Sequence, residues 1–278
     1  MSEKRIRGYP ETMKKIPTKY CGGCGHGVIS RIVAEVIAEM GLRERTIITN
    51  PVGCAIWVDL YFDCDSVQPA HGRSPAVATG VKRILPDHLV ICYQGDGDMA
   101  AIGTAEMIHA ANRGEKFTTV FVNNAIYGMT GGQMAPTSLV GQKAVTAPRG
   151  RDPDEAGMGY PIRVAELLAT LEGTRYLARG AVNNAANTRK TKTYIRKAFE
   201  AQMKGIGFTM VEVLSQCPTN WGMEPVPAVE WLEQNMIPVF PLGEIKNTLD
   251  NPGPEAALKA IGPGTAAVAS VPVPEAVR

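Results

Sequence analysis

The residues best suited to chemistry lie in QGDGDMAAIGTAEMIHAA (94–111), directly after the apolar run LVICY. Gly95 and Gly97 permit a sharp turn and a close approach to a ligand, and the helix that follows directs unpaired N–H groups toward whatever sits above the strand end. A diphosphate suits that position. Asp96 and Asp98 would repel a bare phosphate but suit a divalent cation neutralising it, so the pattern asks for a diphosphate together with Mg²⁺. Asn123-Asn124 ends the next apolar run, VFV, and leads into AIYG. An amide oxygen and loop carbonyls there complete an oxygen shell begun by one carboxylate. Taken singly, Asp98 reads as a helix cap and Asn123-Asn124 as a turn; their pairing at consecutive strand ends carries the metal-diphosphate reading.

Cysteine supplies a second set, 6 residues in all. Cys21-Gly-Gly-Cys24 is a two-ligand hook, while Cys54 follows the run TIIT and Cys217, with Pro218 after it, follows MVEVL. Four converging thiolates fit either zinc or a [4Fe–4S] cluster, and spacing alone leaves that choice open. Cys64 and Cys92 read as small buried apolar residues. Of the 4 histidines, His26 follows the hook and His71 opens the loop HGRSP, beside the diphosphate or the substrate; His88 and His109 read as ordinary surface or helix residues. Arg73 reads as a partner for an anion or as a local cap. The loop Tyr127-Gly-Met-Thr-Gly-Gly-Gln-Met134 is flexible enough to wrap a ligand, with Met129 and Met134 offering adaptable apolar surface.

The elements that must position these residues alternate regularly. Strands are expected at 46–49, 89–93, 118–122, 174–178 and 208–214, each apolar on both faces, with helices at 26–41 and about 73–85, 99–113, 162–171 and 188–204. Val28, Ile32, Val36 and Met40 mark the spacing of the first helix. Strands buried on both sides and separated by helices predict an α/β fold, a doubly wound, mostly parallel sheet. Segment 128–160, rich in Gly and Pro, is too long for an ordinary connection and reads as a functional loop. Residues 1–17 read as an N-terminal extension, 18–249 as the binding domain and 250–278, proline- and alanine-rich, as an extended tail.

Composition bounds the classes of function. With 278 residues, 45% hydrophobic and 20% charged, the chain has material for a sizeable core. A formal charge of +2 and only one basic stretch, RKTKTYIRK (189–197), read as a solvated helix face, argue against nucleic acid. MSEKRIRGYPETMKK lacks the apolar segment of a secretory signal, and no uncharged run is long enough for a membrane helix, so a cytoplasmic protein without membrane insertion is expected. A nicotinamide-dependent dehydrogenase is disfavoured because Gly95-Asp-Gly-Asp98 lacks the G-x-G-x-x-G run. A non-catalytic zinc or assembly protein built on the cysteines is the other competing class.

GDG followed by NN is the thiamine diphosphate motif, and the sequence resembles the beta subunit of 2-oxoacid:ferredoxin oxidoreductases, multi-subunit enzymes of the 2-oxoisovalerate or 2-oxoglutarate type. The likeness runs from about 18 to 245 and is strongest in YCGGCGHG (20–27), HGRSPAVATGVK (71–82), GDGDMAAIG (95–103) and NNAIYGMTGGQMAPTS (123–138). It implies that Asp96, the Asn124 side chain and the Ile126 carbonyl hold Mg²⁺. Gly95, Asp96, Gly97 and Asp98, with Asn124, Ile126, Tyr127, Gly128 and Met129, would line the diphosphate and thiazolium. Cys21, Cys24, Cys54 and Cys217 would ligate a [4Fe–4S] cluster at one edge, close to the thiamine, and His26 would contact the cofactor. The loop after Tyr127 would wrap the reacting carbons, which makes Thr130, with His71, a candidate catalytic residue.

The implied reaction is CoA-dependent oxidative decarboxylation of a 2-oxoacid, with electrons leaving singly through the cluster to ferredoxin. The partners implied are an alpha subunit carrying the glutamate that activates thiamine, a gamma subunit and a ferredoxin-like subunit; Glu106 lies too far along its helix to supply that glutamate. Relatives that take 2-oxoglutarate are expected to carry a lysine beside GGQ, where this chain has Gly131 and Gly132. That departure favours an uncharged 2-oxoacid side chain, such as a branched-chain one, with the same chemistry on 2-oxoglutarate or pyruvate as the alternative.

Overall fold

The computed structural model describes residues 8–50, 52–155 and 157–250. The strands are β1 Thr46–Thr49, β2 Asp65–Val67, β3 Leu89–Gly95, β4 Thr118–Asn123, β5 Thr174–Ala181, β6 Phe208–Leu214 and β7 Gly243–Asn247. Among the described residues they form a seven-stranded sheet in the order β2-β1-β3-β4-β6-β5-β7. Every pairing is parallel except that of β5 with β7. The mostly parallel α/β expectation therefore holds. β2 and β7 escape the sequence reading because DSV is exposed and GEIKN is polar and half-exposed, so neither shows an apolar run.

Helices α1 His26–Glu39, α2 Val58–Tyr61, α3 Ser74–Ile84, α4 Thr104–Asn112, α5 Val164–Ala169, α6 Ala185–Met203, α7 Pro218–Trp221, α8 Pro225–Trp231 and α9 Ile237–Val239 complete the framework. α1 buries Ile29, Ile32, Val33, Val36 and Ile37, whereas Val28 is 38% exposed. The buried stripe is thus rotated from the spacing that begins at Val28, because a two-residue-wide face packs better on a sheet than a single row. The basic stretch in α6 is partly engaged: Lys192 donates to Glu35 (2.8 Å) and Glu39 (2.6 Å) of α1, and Arg196 pairs with Glu39. β3 is buried throughout except at Gly95, and helical structure begins at the next residue with no intervening loop.

From β1 the chain runs outward to β2 and then returns past β1 to β3, so the direction of winding reverses between β1 and β3. A crevice opens at the carboxyl ends of the strands at such a reversal. Residues beyond 250, where the tail was expected, and residues 1–7 of the expected extension lie outside the described residues. Farther along that extension, Met13 bridges Phe62 and Lys14 N donates to Tyr61 O at 2.7 Å. Among the described residues no helix is long and apolar enough to cross a membrane.

One side chain gathers several turns of the long segment after β4. Arg151, 5% exposed, donates from Nε to Gly159 O (2.9 Å), from Nη1 to Pro136 O (2.9 Å) and Ser138 O (2.6 Å), and from Nη2 to Met158 O (2.8 Å) and Tyr160 O (2.7 Å). Burial lowers its pKa, yet the carbonyls keep the charge solvated by the loop itself. Lys offers three donors where Arg offers five. Arg151→Lys is therefore expected to strand carbonyls at a cost of about 2–4 kcal/mol and to open 134–160 to proteolysis; equal protection of wild type and variant would refute this role.

Candidate functional site

The crevice is ≈ 700 Å³ including its open mouth. Val52, Gly53, Cys54 and Ala55 after β1, His71 after β2, Gly95–Asp98 with Ala101 and Ile102 after β3, Asn124 and Ile126–Thr130 after β4, and His26 at the start of α1 line it. The expected diphosphate, thiazolium and catalytic residues are thus brought together, whereas Cys21, Cys24 and Cys217 lie off this lining. Arg73 and Glu106 are also absent from it and pair with each other.

Asp96 is 4% exposed and begins the helical segment. Its Oδ1 accepts from Gly97 N at 2.8 Å and its Oδ2 accepts from Ile126 N at 3.2 Å and Thr137 Oγ1 at 3.1 Å. Burial pushes its carboxyl up to about 7, with those donors opposing the rise. The Asn124 side-chain oxygen faces Ile126 O at 2.7 Å and Asp96 Oδ2 at 3.0 Å, and receives only a long bond, 3.4 Å, from Ile126 N. An amide turned over would donate to both oxygens. A carboxylate, a backbone carbonyl and a side-chain amide thus meet at Asp96, Ile126 and Asn124, and oxygens of these types are the donors Mg²⁺ takes. The donor set therefore fits a small divalent cation. Gly97 must lack a side chain here, since a Cβ would lie 2.7 Å from the Tyr127 ring.

The turn that carries Asn124 and Ile126 is held from several sides. Ala125 has φ +56°, the sole non-glycine residue with positive φ among the described residues. Its N–H donates to Asn123 Oδ1 (3.1 Å), and its carbonyl accepts from Ser138 Oγ (2.5 Å) and Gln142 Nε2 (2.9 Å). Trp221 Nε1 donates to Asn124 O at 3.1 Å. Asn123 Nδ2 donates to Glu212 Oε1 at 2.8 Å, so the first asparagine of the pair positions the second. Glu212 in turn accepts from Arg179 Nε at 2.7 Å, and Arg179 makes a two-pronged pair with Glu166 at 2.9 and 2.6 Å. Burial pushes the Glu212 carboxyl up against the pull of Arg179.

The carboxylate of Asp98 is committed within the protein. Its Oδ1 accepts from His71 Nδ1 (2.5 Å) and Gly72 N (2.8 Å), and its Oδ2 accepts from Gln94 Nε2 (2.5 Å). Asp98 therefore orients His71 with Nδ1 occupied and Nε2 left for the crevice. His26 is buried, stacks on Tyr20 at 5.0 Å and has Nδ1 3.1 Å from the Tyr93 hydroxyl. Burial pulls the His26 pKa down to about 4 and raises that of Tyr93, so a neutral imidazole accepts from a phenol that keeps its proton. The His26 proton then sits on Nε2.

The four expected thiols are free and mutually close enough that charge on one raises the pKa of others. Burial, then the neighbouring sulfurs, push Cys24 up to about 12 and Cys54 up to about 11. The hook turns tightly, with Cys24 N donating to Cys21 O (3.1 Å), and is tied beside Cys217 by Gly25 N to Gln216 O (3.3 Å). Among the described residues, no three His, Cys, Asp or Glu side chains are grouped closely enough to hold a metal ion. Cys92 is buried, as expected, and Cys64 is half-buried.

Sequence reasoning missed Thr137, Asn220, Trp221 and the Arg179–Glu212–Asn123 chain. Glu212 was detectable in principle, as a carboxylate inside the apolar run MVEVL. Asn220 and Trp221 had no such signal.

Residues 57–213 match the family described as thiamine pyrophosphate enzyme, C-terminal TPP binding domain. The ketoisovalerate oxidoreductase subunit VorA of Methanothermobacter thermautotrophicus is 48% identical over 233 residues, 84% of this chain and 48% of that one. The chain thus spans about half the length of that relative. The 2-oxoglutarate synthase subunit KorB of Methanocaldococcus jannaschii is 35% identical over 229 residues, 80% of each chain. In structure the chain resembles a 2-oxoglutarate:ferredoxin oxidoreductase from Magnetococcus marinus, solved with 2-oxoglutarate, coenzyme A and succinyl-CoA bound, with a TM-score of 0.73, 26% identity and coverage of 94% of this chain and 92% of that one. With the strand-end crevice and its Asp96–Asn124–Ile126 turn, these likenesses establish that the chain belongs to the thiamine diphosphate-binding subunits of the 2-oxoacid:ferredoxin oxidoreductase family.

Proposed function

We propose that this chain is the thiamine-bearing part of a multi-subunit enzyme that oxidatively decarboxylates an uncharged, branched 2-oxoacid to its acyl-CoA and CO₂, with ferredoxin as electron acceptor. Bound thiamine diphosphate supplies a nucleophilic carbon for the 2-oxo group, and a [4Fe–4S] cluster supplies one-electron acceptance. Asp96, Asn124 and the Ile126 carbonyl would hold Mg²⁺ against the diphosphate. His71, held at Nδ1 by Asp98, would use Nε2 on phosphate or substrate oxygens, and His26, also on the lining, keeps its proton on Nε2. Cys21, Cys24, Cys54 and Cys217 would bind the cluster. The four thiols sit within electrostatic reach of one another, and the choice of a [4Fe–4S] cluster over zinc rests on the family resemblance.

One observation carries the substrate reading: among the described residues no lysine or arginine lines the crevice, whose walls include Val52, Ile102 and Met129. A distal carboxylate would find no cationic partner among those lining residues. Alpha, gamma and ferredoxin-like partners would close the open mouth and supply the activating glutamate, for which this lining holds no candidate. The test is co-expression with the neighbouring genes, followed by CoA-dependent viologen reduction across a panel of 2-oxoacids. Branched-chain acids are expected to give rates at least about ten times those of 2-oxoglutarate, the order of discrimination a pocket of this polarity supplies. A preference for 2-oxoglutarate would overturn the substrate assignment, and activity without CoA or with a nicotinamide would overturn the reaction.

A further inference from the structure

α7 is a single turn that begins immediately after Cys217, and two of its consecutive residues fasten the loop that follows β4. Trp221 Nε1 holds Asn124 O, as described. Asn220 Nδ2 donates to Gly128 O at 2.9 Å and lies 3.5 Å from Cys217 Sγ. Both partners are acceptors, so the amide nitrogen must face them, and its two hydrogens suffice for one bond to each. A Cβ on Gly128 would lie 3.3 Å from Cys54 Sγ and 3.6 Å from Asn220 Nδ2. One on Gly132, whose φ is +95°, would lie 3.4 Å from Asn220 Oδ1. The backbone at Gly128 therefore lies beside the sulfur of one cysteine and is bonded to an amide that also reaches the sulfur of another.

We propose that Asn220 is a positioning residue that ties the Cys217 sulfur to the Gly128 carbonyl, so that the reduction potential of the four-cysteine centre and the placement of the loop 128–132 are set together. This rests on the cluster assignment made above. A hydrogen bond to a cluster sulfur favours the reduced form, which carries one more electron and more negative charge on sulfur, and so raises the potential. Because the other hydrogen of the same amide is held by the loop, a ligand that moves Gly128 changes the N–H···S bond. By linkage, reduction of the cluster changes affinity for that ligand to the same degree.

The test is an anaerobic redox titration of the full chain, reconstituted with iron and sulfide, following the one-electron couple by visible absorption and electron paramagnetic resonance with dithionite as reductant. N220A is expected to lower the midpoint potential at unchanged iron content, and N220D, which loses the donor and gains negative charge, to lower it further. W221F loses the neighbouring fastening of Asn124 O and leaves the Asn220–Cys217 bond in place, so its potential is expected to fall less than that of N220A, and an equal or larger fall would overturn the proposal. Addition of Mg²⁺ and thiamine diphosphate is expected to shift the wild-type potential and leave that of N220A in place. If N220A and N220D titrate with the wild type, or the cofactor shifts all forms equally, the proposal is overturned while the cluster stands. A wild-type chain that takes up no iron would instead overturn the cluster assignment itself, and the inference with it.

Discussion

Asp96→Asn is expected to weaken Mg²⁺-dependent binding of thiamine diphosphate by at least about 100-fold and, in the absence of cofactor, to stabilise the chain at pH 8. Both effects have one origin, a carboxyl whose burial outweighs the donors that surround it. Its pKa is 3.8 when unperturbed and about 7 in the fold, chiefly through burial. Below pH 3.8 both folded and unfolded chains hold the proton, and the group is neutral with respect to stability. As pH rises toward 7 the unfolded chain ionises first, so stability falls; above about 7 the loss is complete, roughly 4 kcal/mol. Asparagine carries no proton to lose and removes that slope. Thermal unfolding at pH 5 and pH 8 in chelator reads the difference, and parallel pH dependences of wild type and variant would refute the burial argument. Adding Mg²⁺ and thiamine diphosphate should restore the wild type at pH 8 and leave the variant unchanged, since only a carboxylate compensates the cation.

Arg179→Met is the second large effect. Arg179 is fully buried on β5, with Phe240 5.4 Å from its guanidinium carbon, and it neutralises Glu212, itself fully buried. Removing the guanidinium leaves a carboxylate with Asn123 as its remaining donor, which costs about 3–5 kcal/mol. Arg179→Met with Glu212→Gln should recover much of that, because the amide can keep accepting from Asn123 without an uncompensated charge. Urea denaturation of the single and double variants measures the recovery, and no recovery would show that packing against Phe240, rather than charge, dominates. The defect should also reach the site: Asn123 that re-orients toward a bare carboxylate no longer holds Ala125 N, so the single variant should bind thiamine diphosphate more weakly at saturating Mg²⁺.

Much of this architecture could be read from local patterns. Residues 94–98 and 123–127 are short, contiguous and placed at strand ends, so their spacing brought the two segments to one crevice, while the family resemblance singled out Asp96, Asn124 and Ile126 within them. The two-sided burial of LVICY, TTVFV and FTMVEVL announced a parallel sheet for the same reason. What escaped was non-local or polar. β7 pairs antiparallel with β5 through backbone bonds that need no apolar residues. Arg151 organises 135–160 through carbonyls, which every sequence possesses, and so leaves no signature by residue type. Asn220 and Trp221 act on residues more than ninety positions away. Asp98 belonged to the right crevice, but its hydrogen bonds face His71, Gly72 and Gln94 rather than open space, a distinction that only geometry makes.

The left-handed backbone at Ala125 has a kinetic corollary. Its methyl is fully buried in a cluster with Leu139, Leu214 and Phe240, so glycine, though easier to place at φ +56°, would leave a hole there. The bend is thus made when the chain folds, not when a ligand arrives. Cofactor uptake should then leave the backbone at Ala125 as it is, so that any adjustment to the ligand falls on the loop beyond Tyr127.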